Sequence, residues 1–177
     1  MVNALFSTKI YAIFRMAQHI TEVMTKVDVV KAGPDLVEKL AVVPQGAKAH
    51  RRHHSFASKF AHFFVDAEKY PIMDSYAEGM IKLHLGRGRL ISDPVHPYSA
   101  YCHNYLTLKA EAGFQGSNRQ MDHYLWFAGL YLAWRKDPTD KINMEARKLF
   151  ENDSSEVSSE LDALMPSILS KAFRGEL

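Results

Sequence analysis

The chain has 177 residues, of which 47% are hydrophobic, 24% charged and 11% aromatic, and its formal net charge is +2 with nine histidines counted as neutral. That length suits one domain with a proper core, and the near balance of charge excludes a strong overall field toward a polyanion, so a basic surface has to be local. The lone Cys102 excludes a disulfide framework and makes a reducing, cytoplasmic setting the expectation, while the absence of a long apolar run leaves no expected membrane partner.

From Asn3 to about Val27, apolar residues including Leu5, Ile10, Ile13, Ala17, Ile20, Met24 and Val27 recur every three or four positions, which predicts an amphipathic helix. Gly33-Pro34-Asp35 breaks it, with Asp35 placed to cap a short helix through Leu40, and Pro44-Gln45-Gly46 closes that unit. The segment Ala47 to His54, AKAHRRHH, is the densest basic cluster and directly precedes a helix predicted over Ser55 to Val65. Free amides at that helix start, with His54, Ser55 and the forked donors of Arg51 and Arg52, suit a phosphate; a solvated loop is the competing reading. His50, His53 and His54 stand at intervals that let imidazoles converge, but no carboxylate is near them in sequence, and neither a metal nor a cofactor is expected.

Wound as a helix, Ser55 to Val65 sets Phe56, Ala57, Phe60, Ala61, Phe63 and Phe64 on a broad apolar arc and leaves Ser55, Ser58, Lys59 and His62 as a thin polar stripe. Next comes Tyr70-Pro71-Ile72-Met73-Asp74-Ser75, in which Asp74 or Ser75 caps a helix running on through Tyr76, Ala77, Met80 and Ile81. Ser75-x-x-Glu78 reads as a capping box. Gly86-Arg87-Gly88-Arg89 supplies a C-cap and a basic turn, and Pro94 and Pro97 bracket a loop before helical spacing resumes from Tyr98 to Ala112.

Ser117-Asn118-Arg119-Gln120 is a second capping-box signal. The helix it opens is apolar around nearly its whole circumference, from Met121, Tyr124, Leu125, Trp126 and Phe127 to Leu130 and Trp134, and is expected to be the most buried. Asp122, in its first turn, needs a buried partner if it faces inward; a bond to neighbouring backbone would supply one. Asp137-Pro138 ends this helix, and two more are predicted over Lys141 to Glu151 and Glu156 to Phe173. With no alternating β-branched run, residues 1–177 read as one all-α domain, a compact bundle of six to eight helices.

The string KYPIMDSYA, with Ser58-Lys59-Phe60-Ala61 upstream of it, resembles the helix-hairpin-helix DNA glycosylase superfamily over about thirty residues. In that superfamily a Pro-Ile-x-Asp turn delivers a catalytic aspartate to a helix start, and the lysine-using members place a nucleophile where Lys59 stands. Where the family has a Leu-Pro-Gly-x-Gly hairpin, this chain has His53-His54-Ser55-Phe56-Ala57, without the glycines that bring backbone amides to a DNA phosphate. The resemblance implies a base-excision enzyme acting on DNA, with Lys59 and Asp74 catalytic, Arg51, Arg52, His54 and Ser55 toward the nucleic acid, and His62, Tyr76, Asp122 and Trp126 around the flipped base. The competing reading makes Asp74 a helix cap and Lys59 its structural ion-pair partner, in a non-catalytic module that binds nucleic acid or protein.

Overall fold

The computed structural model describes residues 13–44, 52–139, 147–148 and 150. Among these residues the protein is all-α, with six α-helices: α1 Ile13–Lys26, α2 Asp35–Ala41, α3 His54–Phe64, α4 Ser75–Leu85, α5 Pro97–Glu111 and α6 Asn118–Lys136. A single 3-10 turn, Arg87–Arg89, links α4 to α5, and an isolated antiparallel bridge joins Val42 to Arg52. The start of the first predicted helix, Gln45 and Gly46, His50 and Arg51, and nearly all of the two helices predicted after Asp137 lie outside the described residues.

Local chemistry explains where the helices begin and end. Pro97 occupies the first turn of α5, where its missing N–H costs no hydrogen bond. Gly86 ends α4 with φ +77°, a conformation that disfavours any residue carrying a Cβ. At the start of α6, Ser117 Oγ accepts from Gln120 N while Gln120 Oε1 accepts from Ser117 N, so the predicted capping box forms on both sides. Ser117→Ala is expected to lower stability by about 1 kcal/mol, read as a shift in the urea midpoint with unchanged slope.

One hydrophobic core runs from Ala32 to Ala128. It joins Leu36, Val37 and Leu40 of α2, Met80 and Ile81 of α4, Tyr98 and Tyr105 of α5, and Met121 and Leu125 of α6. α2 packs on α3, and α4 on α6. The α4–α6 approach is close because α6 presents Gly129 there: a Cβ at that position would meet the Tyr76 Cβ and carbonyl oxygen at 2.8 Å.

Four expectations are corrected. α6 is not buried all round: Trp126 and Phe127 are 41% and 42% exposed, while Met121, Asp122, Leu125 and Ala128 face the core, and the four fully buried side chains of α2 make that helix the more enclosed. Pro34, not Asp35, precedes α2 as its cap residue, because the Asp35 carboxylate turns back to Gly33 N and pairs with Lys39. Asp74 rather than Ser75 caps α4, so the box from Ser75 to Glu78 does not form. The fourth correction concerns α3, and it determines the site. Its polar stripe faces inward: Ser58, Lys59 and His62 are buried, whereas Phe63 and Phe64 are 43% and 56% exposed.

Candidate active site

The inward stripe of α3 is explained by what it meets. Between the bonds Tyr70 N to Asp66 O and Glu78 N to Asp74 O, residues 71–73 run outside any helix, buried or half-buried, and a backbone there must find partners elsewhere. Side chains supply them. His62 Nδ1 donates to the Tyr70 carbonyl at 3.0 Å, the Tyr98 hydroxyl to Pro71 O at 2.9 Å and the Tyr101 hydroxyl to Ile72 O at 2.6 Å. Ser58 Oγ accepts from Met73 N at 3.0 Å, and both Asp122 oxygens accept from Ile72 N at 3.2 Å. Three helices, α3, α5 and α6, therefore hold one short connection from three sides.

That connection delivers Asp74. Its Oδ1 accepts from Tyr76 N and Ala77 N, both at 3.1 Å, which fixes the carboxylate at the start of α4, where the helix dipole also favours negative charge. Its Oδ2 lies 3.2 Å from Lys59 Nζ, with both side chains about a tenth exposed. Lys59 Nζ also donates to Ser55 Oγ at 3.3 Å, one turn earlier on α3. Lys59 and Asp74 thus meet in a buried contact, which the resemblance and the competing structural reading both expect.

A second pair lies behind the connection. His62 Nδ1 is 3.3 Å from Asp122 Oδ2, and both side chains are almost wholly buried. Burial pushes the Asp122 carboxyl up to about 8; the Ile72 amide opposes this, and the charges of Asp74 and Glu68 add to it. Burial also lowers the His62 imidazole, so both groups favour their neutral forms.

The other candidates are dispersed. His54 Nε2 sits 2.9 Å from Glu38, whose other oxygen accepts from Tyr98 N and Ser99 N at the start of α5. Arg52 donates to the carbonyls of Pro94 and Val95, and Ser55 stays beside Lys59. Tyr76 packs near Leu130 and Phe150, and Trp126 is on the outer face of α6, so the two aromatics do not join His62 and Asp122 around one pocket. A cavity of about 330 Å³ is lined instead by Met73, Glu78, Ile81, Asp93, Tyr101 and Asn104, among others; it touches the connection at Met73 but not Lys59 or Asp74. Burial, with the nearby Asp74 charge, raises the Glu78 carboxyl. Among the described residues no group of three or more histidine, cysteine or acidic side chains is arranged to hold a metal ion, and no helix is long and apolar enough to cross a membrane.

Ser58, Tyr98 and Tyr101 were not legible as site residues. A signal existed in the tyrosines of α5, at positions 98, 101 and 105, which share one helical face with a hydroxyl each. For Ser58 the signal was its place on the polar stripe with Lys59 and His62, which did not reveal its bond to Met73 N.

Comparison with known proteins adds relatives. The family model HI_0787_N, described as an N-terminal domain, matches residues 1–69. That stretch contains Lys59 and stops before Asp74, although the core runs on across the join. An uncharacterized protein of Haemophilus influenzae is 31% identical over 134 residues, covering 72% of this chain. The chain spans 62% of the length of that curated relative. No solved structure matches.

Proposed function

We propose that the chain is a base-excision enzyme of the DNA glycosylase type, working in the cytoplasm without a cofactor. The observation that carries this reading is the 3.2 Å contact of Lys59 Nζ with Asp74 Oδ2, where the carboxylate is pinned to the α4 start and the ammonium projects from the facing helix. A lysine there becomes a nucleophile on giving up its proton, and the adjacent carboxylate is placed to receive it. Attack of the free amine on C1′ of a flipped nucleotide forms the N–C1′ bond as the glycosidic bond breaks, and the base leaves with a proton. Opening of the sugar ring then yields an imine between Lys59 and the DNA. Arg51, Arg52 and Ser55, near the α3 start, are the proposed phosphate contacts, so binding should weaken with salt.

Burial of the pair favours a second reading, in which Lys59 and Asp74 form a structural tie inside a non-catalytic binding module. Borohydride trapping separates the two. The full chain, incubated with duplex DNA carrying an abasic site or one of a panel of damaged bases, is expected to give a covalent adduct that peptide mapping locates on Lys59, and none with Lys59→Ala. Absence of any adduct from folded wild-type protein would leave the module as the reading that stands.

A further inference from the structure

We infer that Asp122 is a positioning residue: by holding the Ile72 amide from α6, it fixes the turn that sets Asp74 against Lys59. For its kinetic readout alone, this inference rests on the glycosylase reading.

The argument begins with the connection itself. Residues 71–73 lie outside any helical ladder, so their path is set by the side chains that bind them. Ser58 comes from α3, Tyr98 and Tyr101 from α5, and Asp122 from α6. It grips the N–H two residues before Asp74 with both oxygens at 3.2 Å, and its Oδ2 is braced 3.3 Å from His62, on the same helix as Lys59. One side chain therefore ties together α6, the turn bearing the carboxylate and the helix bearing the ammonium. An apolar residue at 122 would fill the space without giving Ile72 N an acceptor.

The same carboxyl is buried and interacts with several elements: His62 of α3 lies 3.3 Å away, Tyr105 of α5 hydrogen-bonds to it, and the charges of Asp74 and Glu68 act on it, while Arg119 and His123 of its own helix act on His62. This enclosure leaves little room for a relaxed side chain, so losing Asp122 should move the turn, and with it Asp74.

The test compares wild type, Asp122→Ala and Asp122→Asn as full chains. In Asp122→Ala, amide exchange at Ile72 and Met73 should accelerate, and reductive methylation of Lys59 by formaldehyde and cyanoborohydride should speed up as its contact loosens. Adduct formation with saturating abasic-site DNA should fall by about a hundredfold, with DNA affinity unchanged, because the loss is one of geometry. Asp122→Asn keeps an oxygen for Ile72 and should restore most of the amide protection and of the rate. Lys59 labelling and adduct rate both at wild-type values in Asp122→Ala would overturn the inference. If wild type forms no adduct, the glycosylase reading fails, and Lys59 labelling alone decides the positioning role. Should Asp122→Ala not fold, Asp122→Ser, too short to reach Ile72, carries the same expectations.

Discussion

Asp74→Asn is expected to keep α4 capped yet slow adduct formation by roughly two to three orders of magnitude, as removal of one preorganised charged group in a water-poor site does. The asparagine oxygen can still accept from Tyr76 N and Ala77 N, so the helix start survives. What disappears is the charge opposite Lys59, which keeps its hydrogen bond to Ser55 Oγ. Removing one member of a buried pair costs about 3 kcal/mol or more, so the variant should also be markedly less stable. Lys59→Met is expected to be milder in stability, since Asp74 keeps two amides and the helix dipole, but inactive in trapping. The double variant should recover part of the stability lost in Asp74→Asn and none of the activity. If Asp74→Asn forms adduct at the wild-type rate, Asp74 is a cap only.

Much of this architecture was legible in local chemistry. Gly86, Pro97 and the Ser117–Gln120 box mark helix ends through backbone geometry and unsatisfied amides, which depend on a few consecutive residues. KYPIMDSYA likewise carried its own cap, and a pairing with Lys59 was expected under both the catalytic and the structural reading. The orientation of α3 was only partly legible, because winding it by hydropathy puts Phe63 and Phe64 on the core-facing arc, whereas the buried side carries Ser58, Lys59 and His62. Those polar residues turn inward because the non-helical residues 71–73 and the Tyr70 carbonyl, buried or half-buried against the core, need polar partners. Tyr98 and Tyr101 meet the same need from 27 and 29 residues away, where no periodicity reports it. The outward face of α6 escaped notice for a related reason: an all-round apolar helix reads as central, yet the core meets α6 on the face of Met121, Leu125 and Ala128.

Stability is expected to fall as pH rises from about 6.5 through 8, by on the order of 2 kcal/mol, through the Asp122 carboxyl. Its folded value, pushed up by burial to about 8, lies above its ordinary 3.8, so between those values the folded chain holds a proton that the unfolded chain has released, and raising the pH favours unfolding. His62 acts in the opposite sense below its ordinary 6.5. Burial lowers the folded imidazole, so there the unfolded chain takes up the extra proton and acid favours unfolding. The two slopes oppose one another just below 6.5, and of the two only the Asp122 slope remains above. Urea midpoints taken at half-unit steps from pH 6 to 8.5 should show the decline in wild type and lose it in Asp122→Asn. A wild-type midpoint level across that window would mean that Asp122 is already ionised, paired with a charged His62. Ionisation also adds a negative charge that Asp74 feels, next to the turn that carries it. An adduct rate that changes over the same window in wild type, but not in Asp122→Asn, would therefore connect the buried proton to the Lys59–Asp74 contact.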